Sequence, residues 1–234
     1  MKQHLSVVAA LALALSAHLA PAAANEAESA AAKYTATITK RSADIVDALF
    51  LSDGAKAQRV QAILVAQYRA LNAWHEQHDA ELKALKKSAG SDDREAATKA
   101  KAKIATTQAS LKNIHDEFLA KLATELTPAQ IETVKDKMTY GKVKVTFDGY
   151  VEIVPNLTDA EKARILELLK EAREEAMDGG SADEKSVIFK KYKGKINNYL
   201  SSQGHDVAQA YKDWGAKQKE KQAQPKPAAA PESK

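Results

Sequence analysis

The chain has 234 residues, 44% of them apolar and 28% charged, with 35 Lys and Arg against 31 Asp and Glu and a formal charge of +4. Cysteine is absent, which excludes disulfides, thiolate metal sites, cysteine nucleophiles and a lipid-modified cysteine. The charges are interspersed rather than gathered into a basic stripe, so no nucleic-acid partner is expected, and the run KAKAK (Lys99 to Lys103) reads as an exposed helix face.

Residues 1–24 have the three parts of a secretory signal peptide: Lys2, an apolar run from Leu5 to Leu19, and the small-residue site Ala22-Ala23-Ala24. The run is too short and too rich in alanine for a membrane span, and no later segment reaches that length. The expectation is cleavage after Ala24 and export to the periplasm or the extracellular space. Residues 25–32 read as a linker. Residues 33–218 read as a single helical domain, long enough to bury a core. Residues 219–234, rich in proline, alanine and charge, read as a disordered tail.

Within the domain the apolar residues recur at helical spacing, so the expected fold is mainly α. A first helix runs from about Tyr34 to Leu51 and is broken by Ser52-Asp53-Gly54. Asp53 caps a long helix to about Lys87. Ser88-Ala89-Gly90-Ser91 is a tight connection, and Ser91 caps a second long helix that ends near Leu126. Two long helices joined by so few residues pack as an antiparallel pair. Three or four further helices, the first one among them, complete the domain. LTPAQ (Leu126 to Gln130) and LTDAE (Leu157 to Glu161) each place a threonine three residues before Gln130 or Glu161, the spacing of a capping box. Between them, Val143, Val145 and Phe147 alternate before Asp148-Gly149. Residues 143–154 therefore read as a short β-hairpin or an extended loop. Ser181 with Glu184 opens the last helix by a third capping box.

Several polar residues fall on apolar faces. Gln67, Tyr68, His75 and His78 share the stripe of Val60, Leu64, Leu71 and Trp74, and Gln108 and His115 share that of Leu111 and Phe118. If the pair turns near Gly90, His115 lies opposite about residue 65, roughly 15 Å along the helix from His75. No third ligand then completes a metal site with His75 and His78, and Asp79 points off the stripe. No metal or cofactor is assigned, and a hydrogen-bonded layer of His115, Gln67 and Tyr68 is expected instead. HEQHD is not the HExxH zinc motif and no GxSxG is present, so no catalytic residue is assigned. In KYKGKINNYL (Lys191 to Leu200), Ile188, Phe189, Tyr192, Ile196, Tyr199 and Leu200 span an arc of about 120°, which makes both tyrosines core. Lys191, Lys195 and Asn198 flank that arc on one side, and Asn197 lies on the other. Gly194 lies opposite the arc, where it costs about 1 kcal/mol against alanine.

The stretches QYRALNAWHEQHDAE, LTPAQIETVKDKMTYG, LTDAEKARILELLKEAREEAMDGGS and KYKGKINNYLSSQG together resemble one bacterial family known only as a domain of unknown function. Its members are exported, often encoded near genes for plant-polysaccharide breakdown, and described as sugar-binding. The resemblance covers Ile38 to Trp214. It implies that Tyr140, Gly141, Tyr150, Asp178, Lys191, Tyr192, Gly194, Asn197, Asn198 and Tyr199 are family-typical, with Gln67, Tyr68 and His75. LTPAQ also resembles the LTxxQ motif of Spy-like periplasmic chaperones, although the second copy ends in Glu161 and capping explains both.

The resulting expectation is an exported, non-catalytic binding protein for plant-derived oligosaccharides. Its ligand-binding residues are Lys191, Tyr192, Lys195, Asn197, Asn198 and Tyr199, with Tyr140, Tyr150, Gln67, Tyr68 and His75. One alternative is a Spy-like holdase, which needs a sizeable exposed apolar patch. Another is a carbohydrate-active enzyme, which needs two carboxylates about 5–10 Å apart in a cleft.

Overall fold

The computed structural model describes residues 21–223; residues 1–20 of the expected signal segment and 224–234 of the expected tail lie outside them. Among the described residues there are eight helices and no strand: α1 (Pro21–Asp47), α2 (Gly54–Ala89), α3 (Arg94–Ala123), α4 (Pro128–Met138), α5 (Lys142–Ile153), α6 (Asp159–Met177), α7 (Ala182–Ser202) and α8 (Val207–Ala223). None of them is long and apolar enough to cross a membrane. The 25–32 segment read as a linker is helical, as part of α1, and the first five residues of the expected tail continue α8.

The long pair α2–α3 forms as expected. Asp53 caps α2 by accepting from Ala55 and Lys56 N–H. The cap of α3 is Asp93 rather than Ser91; the Ser91 hydroxyl turns back onto the Ser88 carbonyl. Three cross-pair contacts set the register: Arg59 with Glu125, Trp74 Nε1 with Ser110 Oγ, and Lys103 with Glu81. The residue numbers of each pair total 184, so the hairpin is centred at about residue 92. His115 therefore faces residue 69, nearer His75 than a turn at Gly90 implies.

Two apolar clusters divide the molecule. One joins α1 to α4 through Ile45, Val60, Leu64, Phe118, Leu122, Val134 and Met138, with Met177 reaching in from α6. The other joins α5 to α8 through Val143, Tyr150, Ile165, Leu169, Phe189, Tyr192, Ile196, Leu200 and Val207. Helix α6 spans both. Between α6 and α4, Arg173 is 4% exposed and bonds to Glu132 and Asp136 as well as Glu174. Removing a buried guanidinium from such a network leaves its partners uncompensated at a cost of about 3 kcal/mol.

The 143–154 hairpin does not form, and the segment is α5. The alternation is compatible with a second period, because Val143, Phe147, Tyr150 and Val154 are spaced 4, 3 and 4 residues apart. That face packs into the second cluster, leaving Val145 71% exposed. The break that frees α5 from α4 is Tyr140-Gly141. Both residues have positive φ, at 60° and 64°, and Gly141 N–H closes onto the Asp136 carbonyl at 2.8 Å, which ends α4 with satisfied carbonyls. Helices α5 and α8 are the two beyond the six that periodicity and capping pick out. Both threonine capping boxes are present in full.

Candidate functional site

The residue on which α2 and α3 converge is Asp178, the C-cap of α6, followed by Gly179 and Gly180 before α7 begins. Its backbone carbonyl accepts from His75 Nε2–H at 2.7 Å, and its carboxylate accepts from His115 Nδ1–H at 3.0 Å. The expected layer of His115, Gln67 and Tyr68 is not made. His115 turns to Asp178 instead, Gln67 Nε2 is buried without a partner, and the Tyr68 carbonyl accepts from the Tyr34 hydroxyl at 2.8 Å. The hydrogen bond to Asp178 raises the His115 pKa against partial burial. For His75, burial opposes the charged form, but the Asp178 carbonyl and the Asp79 carboxylate outweigh it and the pKa rises.

The turn fits tightly against this arrangement. A Cβ on Gly180 would lie 2.9 Å from the His75 ring. Glu184 does not complete a capping box to Ser181; its carboxylate accepts from Gly180 N–H at 2.7 Å, while the Ser181 hydroxyl accepts from Glu184 N–H. One loop thus fixes the start of α7 against the middle of α2.

On one side of the turn is an open groove of about 410 Å³ between α2–α3 and α6–α7. Trp74, Leu82, Leu111 and Ile188 supply its apolar surface; Gln108, Lys86 and the carboxylates Asp79, Glu175, Asp178, Asp183 and Glu184 supply its polar groups. Inside it, donor atoms of His75, Asp79 and Glu184 lie within 4.8 Å of one another. Asp79, expected to point away from the histidines, is 2.9 Å from His75 Nδ1. Among the described residues, these three are the group able to hold a cation together. His78 instead lies against the Trp74 ring, 5.0 Å between centroids.

On the other side is a smaller cavity of about 50 Å³, lined by Tyr34, Arg41, Tyr68, Asn72, Tyr140 and Lys185 with Gly179, Gly180 and Ser181. Lys185 is 5% exposed, and its ammonium donates to the Met138 and Met177 carbonyls at 3.3 and 3.2 Å. Burial lowers its pKa to about 8.

The structure divides the residues singled out from sequence among four places. His75 is in the groove, Tyr68 and Tyr140 line the small cavity, and the rest stand along α7 or, like Gln67, in the core. Tyr192 is buried, with Lys195 Nζ 3.8 Å above its ring, and Lys191 pairs with Glu175 at 2.9 Å. Tyr150 is 1% exposed and donates to the Asn197 amide oxygen at 2.6 Å. Tyr199 packs at the edge of the second cluster, Asn198 is exposed, and a Cβ on Gly194 would meet nothing within 4 Å.

Arg41, Asp79, Glu184 and Lys185 were not singled out by sequence as site residues. A signal existed for Lys185: it stands three, four and seven residues before Ile188, Phe189 and Tyr192, on the buried arc of α7. The chain belongs to the family described as "Protein of unknown function (DUF3826)", whose model it matches over residues 35–220. No curated protein matches it in sequence.

Proposed function

We propose that the protein is an exported, non-catalytic binding protein for oligosaccharides, seated in the groove between α2–α3 and α6–α7. One observation carries the reading: the groove combines an apolar surface with an amide, a lysine and five carboxylates. A sugar ring presents an apolar C–H face and a rim of hydroxyls that both donate and accept, so this mixed lining suits it. Lys191 adjoins the groove through Glu175. Lys195 and Asn198, four and seven residues further along α7, extend the same side by about 10 Å, which gives a chain of several sugars room to continue.

The catalytic alternative is less well supported. Asp79 and Glu184 are close enough to act as a pair, but both are exposed and both are engaged, one by His75 and one by Gly180 N–H. A general acid needs an environment that retains its proton. For a holdase, the exposed large apolar residues Phe50, Tyr140, Val145, Val151, Val187 and Tyr211 sit singly on separate parts of the chain or, for the two on α5, on different faces. Single exposed apolar residues are ordinary on a surface.

The test is a thermal-shift panel of neutral plant-derived mono- and oligosaccharides at millimolar concentration, with Gln108→Ala and Asp183→Asn beside the parent. A ligand at 100 times its dissociation constant adds about 2.7 kcal/mol. The expected result is a raised midpoint with one sugar class, weakened in both variants and without release of reducing ends. A flat panel sinks the reading, and sugar cleavage replaces it with the enzymatic one.

A further inference from the structure

The small cavity beside Gly179 and Gly180 is lined by two cationic side chains, Arg41 and Lys185, and by no carboxylate. This is unusual in a chain whose charged residues are so often paired. Arg41, which lines the cavity, makes no hydrogen bond or ion pair among the described residues, although its side chain carries five N–H donors. Lys185 is buried with only two backbone carbonyls as acceptors, which leaves one of its three N–H donors unassigned. The carboxylates that favour its charge are Asp178 and Glu184. Both lie outside the cavity lining, and both are committed, to His115 and to Gly180 N–H.

The hydroxyl donors repeat the pattern. Neither the Tyr68 nor the Tyr140 hydroxyl has a hydrogen-bond partner among the described residues, and both residues line the same space. Tyr140 is held there at a cost. It is a non-glycine residue at φ 60°, 49% exposed, a conformation worth roughly 1–2 kcal/mol of strain. The N-terminus of the 21-residue helix α7 borders the cavity as well, and its dipole favours negative charge.

We infer that this cavity is an anion site that takes a single carboxylate group, presented by a small acidic ligand such as a uronic acid, between Arg41, Lys185 and the hydroxyls of Tyr68 and Tyr140. The volume admits the group. A water needs about 10–15 Å³ of cavity, so about 50 Å³ has room for a carboxylate, with the ring that bears it toward the exposed Arg41 and Tyr140. A planar guanidinium matches a carboxylate in two parallel hydrogen bonds. The anion site does not depend on the groove reading, since it uses different residues, whereas the choice of a uronic acid to present the carboxylate rests on that reading.

The experiment compares glucuronate with glucose, which lacks only the carboxylate, and adds acetate and inorganic phosphate, in thermal-shift and calorimetric titrations at low ionic strength. Arg41→Gln is the main variant, because Arg41 is exposed and unpaired among the described residues, so its loss is expected to leave the fold intact. Tyr140→Phe is the second. The expected result is binding of glucuronate but not glucose, weakened at least tenfold in Arg41→Gln and about threefold in Tyr140→Phe. Binding of acetate or phosphate without glucuronate, still lost in Arg41→Gln, keeps the anion site and identifies its ligand as a free small anion, which overturns the acidic-sugar assignment. Equal binding in parent and Arg41→Gln, or no binding of any anion, overturns the site. A neutral-sugar response that survives Arg41→Gln and is lost in Gln108→Ala reports on the groove alone.

Discussion

The two sides of the Gly179-Gly180 turn are opposites built from one loop. The groove side gathers five carboxylates with one lysine and His75; the cavity side gathers Arg41 and Lys185 with no carboxylate at all. On the groove side the charged groups largely answer one another, as Asp79 does His75, Asp178 does His115 and Glu175 does Lys191. On the cavity side they do not, because the helix start and the buried ammonium face the same space. Where charges are mutually satisfied, a ligand must compete for them. Where cations converge without a counterion, a ligand of opposite charge relieves an existing cost. The difference is one of electrostatic completeness rather than of shape.

The largest expected effect tests that cost directly. Lys185 has a folded pKa of about 8 against an ordinary 10.5, mainly through burial. Its folded form resists the proton that the unfolded chain accepts, so the penalty is fully present below about pH 8. It is relieved as pH rises from about 8 to 10.5, because there the unfolded state binds more protons than the folded one. Arg41 adds to the penalty; Asp178 and Glu184 subtract from it. Over that window the parent is expected to gain up to about 3 kcal/mol relative to Lys185→Met, read by urea denaturation of both proteins at a series of pH values. Parallel profiles would show that Lys185 is not a strained cation.

Next in size is the wall between the two sides. Gly180→Ala places a Cβ 2.9 Å from the His75 ring, and the ring is held by both its nitrogens. Overpacking of this kind costs about 1–3 kcal/mol, so a midpoint lowered by several degrees is expected, with binding on both sides impaired together. An unchanged midpoint would mean that His75 moves freely, and the groove would then be less fixed than its hydrogen bonds imply.

Much of this architecture was legible in the sequence, and the limits have physical causes. Caps at Asp53, Thr127 and Thr158 are local, set by a side chain and a backbone N–H two or three residues away, and could be read. The buried arc of α7, including Tyr192, was also readable because one helix shows its own period. Residues 143–154 failed because Val143, Val145 and Phe147 satisfy a two-residue alternation while Val143, Phe147, Tyr150 and Val154 satisfy a helical one. Only packing against the second cluster decides between them. The meeting of His75 and His115 at Asp178 depended on a hairpin register about two residues from the expected centre. The cavity was out of reach, since α1, α2, the end of α4 and the start of α7 each contribute to it and no local pattern relates them.

A smaller effect separates the two histidines that meet at Asp178. His115 is raised by its bond to Asp178, so its stabilising contribution is complete below about pH 6.5 and fades as pH rises through the folded value. Asp178→Asn weakens that bond and should cost about 1–2 kcal/mol at pH 6, with a smaller loss at pH 8. The His75 bond uses the backbone carbonyl of the same residue, so the His75 proton resonances in NMR are expected to stay near their parent positions. Loss of both histidine signatures would show that the Asp178 side chain, and not the backbone alone, holds the whole turn.

The smallest expected change is in stability and the most discriminating is in binding. Asn198→Ala and Arg41→Gln both alter exposed side chains with no hydrogen-bond partner among the described residues, so each should shift stability by no more than about 0.5 kcal/mol. Their effects on ligands should not overlap. Asn198→Ala is expected to weaken longer neutral oligosaccharides that run along α7 and to leave glucuronate untouched; Arg41→Gln is expected to do the reverse. Side-by-side titration of both variants with both ligands checks this. A variant that weakened both ligands equally would mean that groove and cavity act as one site, and the charge contrast across Gly179 and Gly180 would then be a property of a single ligand's two ends.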